Sequence, residues 1–217
     1  MEYDWLTVGL IVLGVVWGLT GIEILLGPIS WIIAKIFNLE KTFADECEPV
    51  RRIGLKIVVD KSYQRIRNYS QRIKDLVNAA SEQFRKQFKI EFYIQEIVLL
   101  EYRVKSLKVF LGWLKFEFPV TPQSDFDLVI GFAGKPYDFS TGGMAYFLGN
   151  YAVIKRSWYK DKTLIHEIGH LFGADDYEGL SNYFSVMNYY APFWLKFFDL
   201  EQGKIVYSNK WKNFRTG

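Results

Sequence analysis

The chain has 217 residues, of which 50% are hydrophobic and 18% aromatic, so it can fill a core and is not a disordered protein. Its net charge of +3, with 24% charged residues, gives no electrostatic reason to expect a nucleic-acid partner. The single cysteine, Cys47, excludes an internal disulfide and a cysteine-rich zinc site. The length is sufficient for one domain and an accessory segment.

The first predicted element is an apolar helix over residues 6–26, in which Glu23 is the only charged residue. A helix of this length covers roughly 30 Å, about the thickness of the hydrocarbon core of a bilayer. After a Gly-Pro break, apolar residues continue to Phe37. We therefore expect residues 1–37 to be a transmembrane anchor that contacts lipid through residues 6–37. A signal peptide, which would have a basic start, and a buried core helix are the alternatives.

Two weaker signals concern the arrangement of such an anchor. Gly14 and Gly18 have the spacing at which two membrane helices approach closely, which would permit a homodimer. Lysine and arginine are frequent after the anchor and absent from residues 1–5. The positive-inside rule therefore favours a single-pass membrane protein with a cytoplasmic C-terminal domain, although the other orientation stays open.

The residues after the anchor alternate between strand and helix patterns. Residues 38–50 are polar and acidic and are expected to be a linker to a domain at residues 51–217. Runs of β-branched or compact apolar residues predict strands, and apolar residues at three- and four-residue steps predict helices. The predicted strands are residues 54–60, 89–100, 127–132, 142–146 and 151–154. The predicted helices are residues 63–88, 105–118, 162–172 and a closing helix after Pro192. This order indicates the α/β (α+β) class.

The last of these patterns before the closing helix contains both histidines of the chain, in TLIHEIGHLFGADDY at residues 163–177. His166 and His170 are four positions apart, so their imidazoles project from one helix face and can bind one Zn²⁺. Glu167 lies beside the open position and can take a proton from water. The competing interpretation is a surface helix with two coincidental histidines, because the short HExxH pattern also arises by chance.

The residues after the second histidine extend this motif. Gly173 lets the chain leave the helix, and three residues later Asp176 can return as an oxygen ligand. HEIGHLFGADD at residues 166–176, with SVMNY at residues 185–189, resembles the metzincin clan of zinc endopeptidases and its methionine-containing turn. Most metzincins have a histidine at the position of Asp176. This chain has an aspartate there, as does the snapalysin-like branch of the clan. The order of strands and helices is also similar to that clan.

The resemblance implies a metzincin-like twisted mixed sheet with a long backing helix and an active-site helix. It also implies hydrolysis of a peptide or protein substrate by a zinc-bound water, with Glu167 as general base. Met187 would form the floor beneath the zinc, and Tyr189 would reach the metal or the oxyanion, with a buried structural tyrosine as the alternative. Substrate would pair with the edge strand at residues 142–147. Pocket walls are expected from Tyr190, Phe193 and Trp194.

Some metzincins are kept latent by a cysteine or an aspartate that occupies the open zinc position. Cys47 or Asp45 would be the candidates here, although no cysteine-switch sequence surrounds them. A free thiol or an acylation site near the membrane is the simpler interpretation of Cys47.

Two other functions compete with a membrane-anchored zinc endopeptidase. The first is a catalytically silent zinc-binding module tethered to the membrane for interactions, which would have no need of Glu167. The second is a small membrane interaction protein with a coincidental motif. That hypothesis does not explain why Gly173, Asp176 and Met187 fall in register with the two histidines.

Overall fold

The computed structural model describes residues 40–137, 141–156, 160–177, 182–189, 191–192 and 195–216. These residues form one five-stranded sheet with helices packed on both of its faces. The strands are β1 (Arg51–Val59), β2 (Ile90–Leu99), β3 (Leu128–Ala133), β4 (Gly143–Ala145) and β5 (Tyr151–Lys155). The helices are α1 (Lys61–Gln64), α2 (Tyr69–Phe88), α3 (Leu107–Glu117), α4 (Lys160–Leu171) and α5 (Leu200–Ser208).

The strands lie in the order β2-β1-β3-β5-β4. β1 is parallel to β2 and to β3, and β3 is parallel to β5. β4 is antiparallel to β5 and forms one edge of the sheet, with Gly143 opposite Ile154. The mixed α/β fold expected from the sequence is therefore confirmed.

Alternate side chains of the central strands enter two separate cores. On one face, Ile57 and Ile130 pack with α2, α4 and the chain around α5. On the other face, Val58 and Val129 pack beneath α3. Because consecutive side chains of a strand point to opposite faces, a parallel sheet covered on both sides reads as a continuous apolar run. The helix α4, which carries both histidines, thus lies in the same layer as the long helix α2.

The long helix starts later than its sequence pattern predicts. The carboxylate of Asp60 accepts a hydrogen bond of 2.6 Å from the amide of Tyr63 and caps the short helix α1. Asn68 then adopts a left-handed conformation with φ of 58°, which separates α1 from α2. Asp60 also accepts from the amides of Val104 and Gly134, so its position depends on distant loops. The apolar spacing continues through this break and therefore does not reveal it.

The closing helix also starts later than expected. Asp199 caps α5 by accepting from the amides of Glu201 and Gln202. The preceding Phe198 is held outside a helix by the buried side chain of Gln87, which accepts from its amide and donates to its carbonyl. This partner is 111 positions away in the sequence, so no local pattern predicts it.

The segment expected to be a linker is attached to the domain. Residues 40–50 contain no helix or strand. Phe43 stacks on Phe88 with 5.4 Å between ring centroids, and its ring fills the space beside Gly203. Glu48 pairs with the buried Lys210 at 2.7 Å. The domain boundary near residue 50 stays a prediction, but the chain before it is packed against α2 and α5.

The predicted membrane anchor at residues 1–37, including Gly14 and Gly18, lies outside the described residues. Within the parts of the chain that the structure describes, every helix is too short or too polar to cross a bilayer.

Candidate active site

The two histidines project from α4 towards one point. Their rings are 4.7 Å apart at 87° to one another. Nδ1 of His166 lies 3.1 Å from the carbonyl of Val186, and Nδ1 of His170 lies 2.8 Å from the carbonyl of Ala174. A carbonyl oxygen only accepts hydrogen bonds, so each Nδ1 carries the hydrogen and each Nε2 keeps its lone pair. Both Nε2 atoms are therefore available as metal ligands.

The carboxylate of Asp176 completes a group of three donors. Its Oδ1 lies 3.0 Å from Nε2 of His166 and 3.5 Å from Nε2 of His170, and the two Nε2 atoms are 3.2 Å apart. A tetrahedral ion with bonds of about 2.0–2.1 Å has its ligands about 3.3 Å from one another. Among the described residues these three form the group of potential ligands that meets at one point. Their chemistry and spacing fit Zn²⁺.

A sharp exit from α4 brings Asp176 back to the histidines. Gly173 has φ of 87°, which side-chain-bearing residues rarely adopt, and a Cβ there would lie 2.8 Å from Leu148. The next turn is held by the amide of Asp175, which donates to the side chain of Gln202 on α5 at 2.8 Å. The amide of Tyr177 donates to the carbonyl of Met187. The sequence shows Gly173, but only the fold brings Gln202 to the amide of Asp175.

Burial and neighbouring groups shift the pKa values of these three side chains. Burial acts to lower the pKa of His166, but the hydrogen bond with Asp176 and the charge of Glu167 raise it overall. Burial and the charge of His166 lower the pKa of His170. The hydrogen bond from His166 lowers the pKa of Asp176 despite its partial burial.

Glu167 lies on the neighbouring face of α4, beneath the edge strand β4. Its side chain is nearly inaccessible, with 5% of the residue exposed. A Cβ at Gly143 would lie 2.7 Å from its Oε1, so a glycine is needed where β4 passes over the carboxylate. Burial raises the pKa of Glu167 to about 7, with the charge of His166 opposing and that of Asp176 adding. This carboxyl group can gain or lose a proton near neutral pH.

The predicted methionine turn lies beside the histidines. We use "methionine turn" for residues 185–191, of which residue 190 is outside the described residues. Val186, Met187 and Asn188 are fully buried. Met187 packs against Gly169, where a Cβ would lie 2.8 Å from its sulfur. The structure therefore places Met187 against the turn of helix that separates the two histidines, and its role as a floor beneath the zinc stays a prediction.

The other predicted site residues are only partly located. Tyr189 is 67% exposed, so the alternative of a buried structural tyrosine is wrong, and its role in catalysis stays a prediction. The expected pocket walls at Tyr190, Phe193 and Trp194 lie outside the described residues. Lys162 was not singled out from the sequence; only its position four residues before His166 could have pointed to it.

The proposed latency residues do not belong to the metal-binding group. Cys47 and Asp45 are exposed in the segment that packs against α2 and α5. Within the described residues, the ligand group consists of His166, His170 and Asp176 alone. This arrangement gives no support to latency through either side chain.

Comparison with known proteins gives one family match. Residues 70–175 match the family model described as metallo-peptidase family M12B, reprolysin-like. This part of the chain, which includes both histidines and Glu167, is therefore similar to a family of zinc metallopeptidases. The match extends from α2 to the residue before Asp176, so it covers both histidines and Glu167 but not the third donor. No curated protein matches the chain.

Two solved structures are similar to the fold of the domain. Archaemetzincin from Methanopyrus kandleri is 16% identical, with a TM-score of 0.52, over 77% of this chain and 99% of that one. A chain described as part of a chaperone-substrate complex is 13% identical, with a TM-score of 0.58, over 76% of this chain. The match spans only 35% of the length of that second chain. At these identities the likeness concerns the fold alone.

Proposed function

We propose that the protein is a membrane-anchored zinc-dependent endopeptidase, in which His166, His170 and Asp176 hold the metal and Glu167 is the general base. The convergence of three donor atoms within 3.0–3.5 Å of one another carries this proposal. The buried carboxylate of Glu167 beside them supports a catalytic rather than a structural site, because a structural zinc site has no use for an additional acidic group.

Zn²⁺ in such a site acts as a Lewis acid, which acidifies water and polarises a carbonyl group. Glu167 accepts a proton from the attacking water and then delivers it to the nitrogen of the leaving amine. The hydrogen bonds from Nδ1 to Val186 and Ala174 keep both imidazoles in the required tautomer. Asp176 adds negative charge, so we expect a weaker Lewis acid than three neutral histidines would give.

Substrate binding is proposed at β4. This strand is three residues long, and within the described residues it pairs with β5 on one side only. An extended peptide could pair with its other side and place a carbonyl above α4. Tyr189, which is exposed two residues after Met187, is proposed to reach the metal or the developing oxyanion. Peptides or unfolded proteins are the substrate class that this geometry favours.

The anchor at residues 1–37 and the lipid contact through residues 6–37 are part of the proposal, supported by their length and lack of charge. A single-pass topology with a cytoplasmic domain and dimerisation through Gly14 and Gly18 are supported by the sequence alone. The second candidate function is a silent zinc-binding module, which would keep the three ligands but not the chemistry of Glu167.

The test is to purify the full chain in mild detergent and compare it with Glu167→Gln, measuring bound zinc and hydrolysis of unfolded casein. We expect one zinc per chain in both proteins and about 10²–10⁴-fold slower hydrolysis in the variant, because it lacks a base. Glu82→Gln, on the exposed side of α2, is the matched control and should keep full activity.

Other outcomes would separate the alternatives. Zinc without hydrolysis in the parent protein would favour the silent module. Equal hydrolysis by the parent and Glu167→Gln would remove Glu167 from the mechanism. A folded parent protein that binds no zinc would contradict the metal site itself.

A further inference from the structure

Lys162 is a buried cation that the mechanism above does not use. It lies on α4, one turn before His166, and only 8% of the residue is exposed. Its Nζ donates to the carbonyl of Asn188 at 3.1 Å and to the carbonyl of Ala191 at 2.5 Å. Burial lowers the pKa of Lys162 to about 8, which shows that the ammonium group has lost much of its hydration.

Such a position is costly for a lysine. Backbone carbonyls are dipoles and compensate a buried charge less well than a carboxylate does. Leucine or methionine would fill the same space without this cost. The lysine is therefore explained by what its two hydrogen bonds hold in place.

Both hydrogen bonds end on the methionine turn. Lys162 and His166 are on the same face of α4, and together they bind the carbonyls of Val186, Asn188 and Ala191. The turn is also held by the amide of Val186, which donates to the carbonyl of Phe197, and by the carbonyl of Met187, which accepts from the amide of Tyr177. One helix face thus binds three carbonyls of the turn, and Gly169, near the end of the same helix, contacts Met187.

This arrangement couples the ammonium group to the metal ligands. The carbonyl of Val186 accepts from Nδ1 of His166 at 3.1 Å and so sets the rotation of that ring. If the turn moved away from α4, this carbonyl would move with it, and Nε2 of His166 would no longer point at the other two donors.

We propose that Lys162 is a positioning residue of the metal centre, which holds the methionine turn against α4 and thereby fixes the ring of His166. The proposal rests on the proposed function only in taking His166 as a zinc ligand. It requires no contact between Lys162 and the metal or the substrate.

Lys196 offers a matched control. It pairs with Asp161, the residue before Lys162, and therefore links the same end of α4 to the chain that follows the turn. Both side chains of this pair are about one-third exposed, at 36% and 34%. An exposed pair of this kind contributes little to structure.

The experiment compares the full chain with Lys162→Met, which keeps the length of the side chain but not its charge, and with Lys196→Met. Zinc affinity is measured by competition with a chromophoric chelator, and the visible spectrum is recorded after substitution with Co²⁺. We expect zinc affinity to fall about 10–100-fold in Lys162→Met, as for other groups that orient a ligand, and the Co²⁺ bands to shift. Lys196→Met should leave both readouts unchanged.

If Lys162→Met does not fold, Lys162→Gln keeps a donor without the charge and is expected to show a smaller loss in the same direction. Unchanged zinc affinity and an unchanged Co²⁺ spectrum in a folded variant would overturn the proposal. Equal losses in Lys162→Met and Lys196→Met would also overturn it, because the effect would then be general loosening of this end of α4. Absence of hydrolysis in the parent protein would contradict the proposed function. It would not affect this test, because the readout here is zinc binding.

Discussion

At the residue scale, the site depends on a few atoms whose partners determine their chemistry. His166 and His170 were identified from their spacing, but the backbone carbonyls that fix their tautomers come from Val186 and Ala174. Gly143 also depends on a distant partner, because its lack of a side chain leaves space for the carboxylate of Glu167. The Gly-Gly pair in the sequence does not predict this contact. The motif therefore gives the candidate reacting groups, and their neighbours in the fold determine how these groups are oriented.

The proposed third ligand, Asp176, is the site residue that most needs a test, because Asp175 is adjacent to it in the sequence. Oδ1 of Asp176 lies 3.0 and 3.5 Å from the two Nε2 atoms, and among the described residues the group of potential ligands contains Asp176 and not Asp175. We expect Asp176→Asn to weaken zinc binding by more than the roughly 10–100-fold that changes beside a ligand cost, because a neutral amide replaces an anionic donor.

Asp175→Asn is the matched control, since it removes a neighbouring carboxylate of the same size and should bind zinc like the parent. The measurement is a chelator competition on the full chain at fixed pH. Stronger loss in Asp175→Asn than in Asp176→Asn would show that the other aspartate is the ligand.

At the element scale, the strands and the active-site helix follow their patterns, because periodic apolar residues report directly on burial. The differences occur where a distant polar group decides the chain path. Gln87 holds Phe198 in a non-helical conformation through two hydrogen bonds. The carboxylate of Asp60 accepts hydrogen bonds from backbone amides of three different segments. Such contacts have no periodicity, so the starts of α2 and α5 could not be predicted.

The segment at residues 40–50 is an element whose polarity suggested a linker but whose contacts make it part of the domain. Phe43 packs against Phe88 and Gly203. We expect Phe43→Ala to lower the free energy of unfolding by about 2–3 kcal/mol, somewhat less than the roughly 3–5 kcal/mol of a fully buried phenylalanine. The measurement is urea unfolding of the full chain in mild detergent, followed by near-ultraviolet circular dichroism.

Phe116→Ala serves as the comparison, because Phe116 is 84% exposed on α3 and should change stability by less than about 0.5 kcal/mol. If Phe43→Ala unfolded at the same urea concentration as the parent, residues 40–50 would be a detached linker after all.

At the scale of the whole molecule, one sheet divides the domain into two cores, and the site lies at its β4 edge. α2 and α4 cover one face, and α3 covers the other. The chain enters beside α2, where Lys86 pairs with Glu40. Because residues 40–50 are packed against α2 and α5, a membrane anchor ahead of them would be joined to the domain by a short connection.

The proposed anchor at residues 1–37 leads to a prediction about where the whole chain is found. We expect the full chain to stay in the membrane fraction after washing with alkaline carbonate, because about 20 apolar residues in a helix can span the bilayer. A chain that begins at residue 40 keeps the contacts of Phe43 and Glu48 and should be released. Immunoblotting of both fractions is the measurement.

Release of the full chain by carbonate would contradict a transmembrane span. Retention of both chains would locate the membrane-binding residues in the domain instead.

The sequence by itself determined the class of fold, both histidines, Glu167 and the exit at Gly173, because helical spacing and glycine chemistry are local properties. It also indicated Asp176 and Met187, although only through a resemblance. The tertiary structure decided that the three donors meet, that Gly143 and Gly169 leave room for Glu167 and Met187, and that Lys162 holds the turn. These are contacts between segments that lie apart in the chain, and their distances are set by packing, which no local pattern records.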